Sequence, residues 1–166
     1  MQFRSRITLP AFITTALVLS LIGSAQAVSW SSYDRSHSIS RHQDFWVLKD
    51  NGECVVKQSY ANNTSRMELS YKSGGRPTLS TPFFNTPEKV IYEVDPADVV
   101  PSRDVSRSEL SSGRNIHLPR GIVSEMKRGR DLKVMAKVDG VWSHVQTFSL
   151  TGFTAATDVL DGPECR

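Results

Sequence analysis

Residues 131–148 read DLKVMAKVDGVWSHVQTF and decide the fold class, because they have the pattern of a β-hairpin. Two alternating runs flank Asp139-Gly140, a preferred two-residue hairpin loop in which both positions adopt φ > 0. Pairing across this loop gives one largely apolar face, and we expect that face to meet the core. Its cross-strand pairs are Val138–Val141, Ala136–Ser143, Val134–Val145 and Leu132–Thr147.

The opposite face of this hairpin is amphipathic, and it is the candidate binding surface. A lysine stem lying beside an indole is a commoner arrangement there than a cation–π contact. We take Trp142, Met135, Lys137 and His144 as the candidate binding residues of the chain. The cross-strand pairs of this face are Lys137–Trp142, Met135–His144 and Lys133–Gln146.

After the hairpin, the period of the apolar residues changes from that of a strand to that of a helix. Phe153, Ala156, Thr157 and Leu160 recur at helical spacing, and Gly152 precedes them. The sequence therefore predicts a short C-terminal helix that closes one end of the sheet.

The first 27 residues have the pattern of a cleaved secretory signal peptide. Arg4 and Arg6 form a basic region, an apolar run extends from Ala11 to Ile22, and Ala25-Gln26-Ala27 is an A-x-A cleavage site. The alternative is a membrane anchor, but the apolar run is shorter than the roughly 20 residues that span a bilayer. We therefore expect cleavage near Ala27 and a periplasmic or secreted protein, with no transmembrane segment in the mature chain.

The leader also changes the charge balance of the chain. Its removal leaves 139 residues and takes away two of the 20 basic residues and none of the 17 acidic ones, so the mature formal charge is +1. The basic isoelectric point of the full chain is thus no argument for nucleic acid, and we expect no nucleic-acid partner. The length suggests one β-sandwich domain, placed at residues 44–166 after an irregular N-terminal arm at residues 28–43.

The mature chain has two cysteines, Cys54 and Cys165. An even count in an exported protein favours a disulfide over two separate thiols. The bridge closes a loop of about 110 residues and contributes roughly 4–5 kcal/mol in the chain-entropy description. It pins the C-terminal tail against an early strand.

The remaining patterns extend the hairpin into an all-β fold. Phe45 to Leu48 and Cys54 to Tyr60 flank a second two-residue loop, Asn51-Gly52, in a hairpin that is apolar on both faces. Lys89 to Val94 is a further strand, and Gly121 to Arg128 is a short helix. The sequence predicts an antiparallel β-sandwich or open barrel of about eight strands with two short helices, one of them at the C-terminus.

No motif of a known catalytic centre is present. The chain lacks G-x-S-x-G, H-E-x-x-H, P-loop and G-x-G-x-x-G patterns, so we assign no catalytic residues, no cofactor and no metal ligands. His37 and His42 lack a third nearby ligand and are interpreted as exposed arm residues. The polar segment from Asp95 to Gly113 has mixed charge, which is typical of a solvated face, so no site is assigned to it.

Several segments of the chain combine into a known arrangement. Met126-Lys127-Arg128-Gly129 precedes the hairpin, and Ser149-Leu150-x-Gly152-Phe153-Thr154-Ala155-Ala156 follows it, while Phe45-Trp46-Val47 and Cys54 open the domain. This arrangement resembles the invasion-associated locus B family, which consists of small exported proteins of Gram-negative bacteria. The resemblance implies an all-β sandwich, an exported location and an association with host-cell invasion or envelope function. It offers no catalytic residues to transfer.

The chain departs from that family pattern in its cysteines. Family members often have a further cysteine pair before the late helix, whereas Asp95 to Leu118 contains none, and Cys165 lies after the last helix. The family's disulfide arrangement is therefore not carried over. The expected Cys54–Cys165 bridge depends on the cysteine count and the compartment alone.

Three functional hypotheses follow. The leading one is a non-catalytic exported protein that binds a protein or a cell-envelope component. The second is a small-ligand-binding protein with a pocket between the sheets or under the Asp95–Gly113 segment. The third is a hydrolase whose site the motifs do not reveal, for which His117 and His144 are the histidines that a carboxylate would have to orient.

Overall fold

The computed structural model describes residues 35–61, 66–80, 87–95, 102–111 and 115–166. The predicted signal peptide and residues 28–34 of the predicted arm lie outside these ranges. The elements are β1 (Ser38–His42), β2 (Phe45–Asp50), β3 (Glu53–Ala61), β4 (Arg66–Tyr71), β5 (Thr78–Ser80), β6 (Lys89–Val94), β7 (Arg103–Asp104), α1 (Arg107–Ser111), β8 (Asn115–His117), α2 (Ile122–Met126), β9 (Asp131–Val138), β10 (Val141–Ser149), α3 (Phe153–Leu160) and a 3-10 turn (Pro163–Cys165).

These strands form two antiparallel sheets, which confirms the predicted all-β, sandwich-like fold. The first sheet has the order β1-β2-β3-β4-β5-β8, and the second has the order β10-β9-β6-β7. No helix in the described ranges is long and apolar enough to cross a membrane.

The core lies between the two sheets and under α3. Alternate residues of each strand point inward, as the period of two requires. Phe45 packs against Phe153 of α3, with ring centroids 5.3 Å apart. The predicted helix face is confirmed, since the buried residues of α3 are Phe153, Ala156, Thr157 and Leu160. Strand residues are among the other fully buried side chains, including Val47, Val56, Leu69, Leu79, Ile116, Leu132 and Phe148.

The β2–β3 hairpin has the register that its Asn51-Gly52 loop predicts. Both loop residues have positive φ, 50° and 83°, and Val47 pairs with Val56 across the hairpin. The face predicted to be shared by Phe45, Val47, Cys54 and Val56 is buried.

The β9–β10 hairpin differs from its predicted register at one point. The Asp139-Gly140 loop and the pairs up to Met135–His144 are as predicted, but the register shifts between His144 and Gln146. One extra residue in β10 reverses its facing beyond that point. Gln146 and Phe148 are therefore buried instead of Val145 and Thr147.

The structure also corrects the predicted N-terminal arm. Residues 38–42 are not irregular but form β1, whose backbone pairs with β2 at the edge of the first sheet. No side chain of β1 is buried, so its Ser-, His- and Arg-rich sequence does not need to alternate with apolar residues. Arg41 lies over the Trp46 ring, 5.4 Å from its centroid. The strand β7 and the helix α1 were likewise not predicted.

The C-terminal tail is tied to the first sheet by the expected disulfide. Cys54 in β3 and Cys165 in the 3-10 turn are bonded, with their Cα atoms 5.4 Å apart. Lys49 also donates a hydrogen bond from Nζ to the Glu164 carbonyl oxygen at 3.1 Å.

Gly152, in the segment that follows the hairpin, is required by the packing of the chain. It has φ of +90°, in the left-handed region that favours glycine. A Cβ atom added there would lie 2.1 Å from the carbonyl oxygen of His42. This glycine therefore allows the start of α3 to approach the end of β1.

Candidate functional site

The predicted binding residues lie on the outer face of the second sheet. Trp142 of β10 pairs with Lys137 of β9, and Lys137 in turn pairs with Lys89 of β6. Residues that pair directly share a face, so these three side chains form one row across the sheet. His144 pairs with Met135 in the next row, as the sequence predicts.

The centre of this outer face is apolar. Met135 pairs with Ile91, and both side chains are half-buried. Trp142 keeps 37% of its surface exposed, and its neighbour Val141 keeps 64%; they are the exposed large hydrophobic residues of the described chain. The hairpin end thus presents apolar surface to solvent.

The rim of the outer face carries mostly positive charge. Lys89 and Lys137 lie directly opposite each other, a like-charge pairing that is unfavourable without a counter-charge. Asp104 of β7 supplies part of this counter-charge, because its Oδ1 atom lies 3.5 Å from Lys89 Nζ. The next charged pair, Glu93 with Lys133, is of opposite sign. We refer below to Lys89, Ile91, Lys133, Met135, Lys137 and Trp142 as the outer face.

A second candidate site lies under residues 102–111, one of the two places where the small-ligand hypothesis expects a pocket, although its lining residues were not predicted. It is an open cavity of about 440 Å³ beside β8. Its wall includes Arg76, Tyr92, Arg103, Ser106, Glu109 and Arg120. The segment that sequence analysis interpreted as a solvated face therefore contributes side chains to a concave site.

The wall of this cavity is held by the buried carboxylate of Glu109. Arg103 donates to both of its oxygens, from Nη2 to Oε1 at 2.7 Å and from Nη1 to Oε2 at 3.0 Å. The backbone N–H of His117 donates to Oε1 at 2.9 Å. Arg103 Nη2 also donates to the His117 carbonyl oxygen at 2.6 Å, so this network joins α1, β7 and β8.

Ser106 and Glu109 form a capping box at the start of α1. The Ser106 N–H donates to Glu109 Oε2 at 2.9 Å, and the Glu109 N–H donates to Ser106 Oγ at 3.3 Å. The Ser-x-x-Glu spacing of residues 106–109 is the sequence signal that could have revealed this helix start.

These contacts set the ionisation of Glu109. Burial alone raises the pKa of a carboxyl group, but the hydrogen bonds from Arg103, Ser106 and His117 outweigh it and lower the pKa of Glu109 from 4.5 to about 2. Glu109 is thus ionised at neutral pH, and it neutralises Arg103.

A second open cavity, of about 590 Å³, adjoins the first one. Arg76 and His117 belong to the walls of both cavities. In the shared wall the Thr78 hydroxyl lies 3.1 Å from Nδ1 of His117 and donates to the Arg76 carbonyl oxygen at 3.3 Å. No group of three or more His, Cys, Asp or Glu side chains in the described ranges is arranged to hold a metal ion.

The comparisons with known proteins bear on the fold. The chain matches no protein-family profile and no curated protein. Its structure is similar to the crystal structure of invasion associated protein B from Bartonella henselae, with a TM-score of 0.57 and 16% sequence identity. The match covers 76% of this chain and 98% of that chain. At this identity the likeness shows a distant relationship of fold.

Proposed function

We propose that this protein is a non-catalytic exported protein that acts by binding a protein of the cell envelope through its outer face. The exposure of Trp142 at the end of the β9–β10 hairpin carries this proposal. Tryptophan is among the residues that contribute most to binding at protein interfaces. The signal-peptide pattern and the fold likeness to an invasion associated protein support an exported binding role.

The composition of the outer face supports a protein partner in particular. Its half-buried centre, Ile91 and Met135, is apolar, and lysines surround that centre. An apolar centre with a polar rim is the usual anatomy of a protein interface. The paired lysines Lys89 and Lys137 favour a partner that presents carboxylates at the rim, because such a partner relieves their mutual repulsion.

The small-ligand hypothesis has one specific observation in its favour. The space between the sheets is filled by large buried side chains such as Phe45 and Phe148, which leaves the open cavity under residues 102–111 as its candidate site. The wall of that cavity includes the polar side chains of Arg103, Ser106 and Glu109.

A pull-down from envelope extract tests the proposed function. Mature protein from Val28 onward serves as bait, oxidised and reduced, beside Trp142→Ala, Lys137→Glu and the control Arg128→Glu, whose exposed side chain lies outside the outer face. We expect a specific protein that wild type and Arg128→Glu retain. Trp142→Ala should lose most of it, since truncation of an aromatic anchor at an interface costs about 2 kcal/mol or more. Lys137→Glu should also lose most of it, because it reverses the charge that faces the partner.

Two results would contradict the proposal. One is equal capture by wild type and by both outer-face variants, which would locate binding elsewhere on the molecule. The other is a chemical activity of the purified protein that a single substitution abolishes without unfolding it.

A further inference from the structure

The two open cavities beside β8 adjoin each other and share two wall residues, Arg76 and His117. The first lies between β8 and the α1 segment. The second extends over the outward side of β4 and β5, where Ser70 pairs with Thr78. At about 440 Å³ and 590 Å³, each has the size of a small-molecule site. Together they form a groove with two chemically different ends, which we call the β8 groove.

One end of the β8 groove is positively charged. Arg103 lines it, but its charge is neutralised by the buried Glu109. Arg76 and Arg120 line the same cavity, and both side chains are exposed. Guanidinium groups bind carboxylate and phosphate oxygens through charge-assisted hydrogen bonds, so this end fits an anionic group.

The other end of the β8 groove carries neutral hydrogen-bonding groups beside Glu68 and Lys72, whose charges are paired with those of Lys57 and Glu53. Ser70, Thr78 and Ser80 present hydroxyl groups, and Asn115 presents an amide. These side chains come from the outward positions of neighbouring strands, because Leu69, Leu79 and Ile116 between them point into the core. Hydroxyl and amide groups act both as donors and as acceptors, which matches the hydroxyl groups of a sugar.

The wall between the two ends is rigidly held. Glu109 accepts from the His117 N–H, and the His117 ring contacts the Thr78 hydroxyl at 3.1 Å. Thr78 and His117 are therefore held in place relative to Glu109 before a ligand arrives, which lowers the cost of ordering this wall on binding.

We propose that the β8 groove binds a sugar that carries a phosphate or carboxylate group. The anionic group lies between Arg76 and Arg120, and the sugar hydroxyls lie along Thr78, Ser80 and Asn115. This site uses none of the outer-face residues, although Tyr92 and Arg103 in its wall belong to β6 and β7 of the same sheet.

Binding is measured by NMR titration of the ¹⁵N-labelled mature protein at low ionic strength. The four probes are glucose 1-phosphate, glucuronate, glucose and inorganic phosphate. We expect at least one charged sugar to bind about tenfold more tightly than both glucose and phosphate, because only it engages both ends of the groove. Its resonance shifts should include the backbone amides of Ser80 and Arg120, one from each end.

Substitutions assign the two ends. Arg76→Gln and Arg120→Gln should each weaken binding of the charged sugar about tenfold by removing a charge-assisted hydrogen bond. Ser80→Ala should weaken the charged sugar and leave inorganic phosphate unchanged. Arg128→Gln, an exposed arginine outside the groove, is the matched control and should bind as wild type does. Thermal melting of each variant verifies that it is folded.

The preferred probe identifies the source of the charge: a preference for glucose 1-phosphate indicates a phosphorylated sugar, and a preference for glucuronate indicates a uronic acid. Three results overturn the proposal. The first is that neither charged sugar binds. The second is that glucose binds as tightly as the charged sugar, which would rule out the anionic subsite. The third is that inorganic phosphate binds as tightly as the charged sugar, which would rule out the sugar subsite.

Discussion

Replacing Glu109 by glutamine should make the stability of the protein less dependent on pH in the acid range. The wild-type carboxylate accepts hydrogen bonds from Arg103, from Ser106 and from the His117 N–H. Glutamine has nearly the same shape, but its NH₂ group would face these donors, and Arg103 would lose its counter-charge. The pKa of Glu109 is lowered from 4.5 to about 2, which corresponds to about 3 kcal/mol of stability when the group is ionised.

The sign of the effect follows from the direction of that shift. A carboxyl whose pKa is lower in the folded state stabilises the fold above the pKa of the unfolded chain, 4.5 here, and loses this contribution as the pH falls towards 2. At pH 7 we therefore expect Glu109→Gln to lower the free energy of unfolding by about 3 kcal/mol. Near pH 2 about half of the folded wild-type carboxyl is protonated and its contribution falls to about 0.4 kcal/mol, so the two proteins should differ little.

Urea unfolding followed by tryptophan fluorescence at pH 7, 4.5, 3 and 2 measures this difference. Glu164→Gln is the matched control, because Glu164 is an exposed carboxylate near the C-terminus. Its stability should follow that of wild type at every pH. A Glu109→Gln deficit that stays constant from pH 7 to pH 2 would refute the reasoning, since the loss would then come from packing and not from the ionised pair.

Two further perturbations test the links that hold the C-terminus. Substitution of both Cys54 and Cys165 by serine should lower the free energy of unfolding by about 4–5 kcal/mol, because the bridge closes a sequence separation of 111 residues. Wild type unfolded in the presence of reductant should match this variant. A loss of less than about 1 kcal/mol would contradict the expected contribution of the bridge. Gly152→Ala should cost at least about 2 kcal/mol, from its left-handed φ and its contact with His42. The control is Gly121→Ala, because Gly121 has φ of −61° and a Cβ atom added there meets nothing within 4 Å. Equal melting temperatures of the two variants would contradict the role assigned to Gly152.

The sequence predicted the hairpins well, because their registers depend on local turn chemistry. Asp139-Gly140 and Asn51-Gly52 each adopt the positive φ values that a two-residue loop needs, and the pairing next to each loop follows from that. The cysteine pair was predictable for a different reason, since two cysteines in a chain with the pattern of an exported protein allow only one intramolecular bridge.

Features set by tertiary contacts were not predictable in this way. The bulge before Gln146 changes which residues of β10 are buried, but no residue type at that position predicts a bulge. The strand β1 is stabilised by backbone pairing at a sheet edge, which its polar composition conceals.

A pocket under the Asp95–Gly113 segment was one of the hypotheses, but the residues of the groove were not predicted because they are distant in sequence. Arg76, Arg103 and His117 come from three separate segments, and mixed charge in a polar segment usually indicates a solvated face. Only the Ser106-x-x-Glu109 spacing was a local signal, and it indicates a helix start and not a cavity.

Site-specific photo-crosslinking in the cell envelope tests the binding role of the outer face most directly. A benzoylphenylalanine is placed at position 142 in the full chain and, as control, at position 154, an exposed residue of α3. We predict that illumination yields a discrete protein adduct from position 142 and none from position 154. Adducts of the same protein from both positions, or no adduct from position 142, would contradict a partner bound at the outer face.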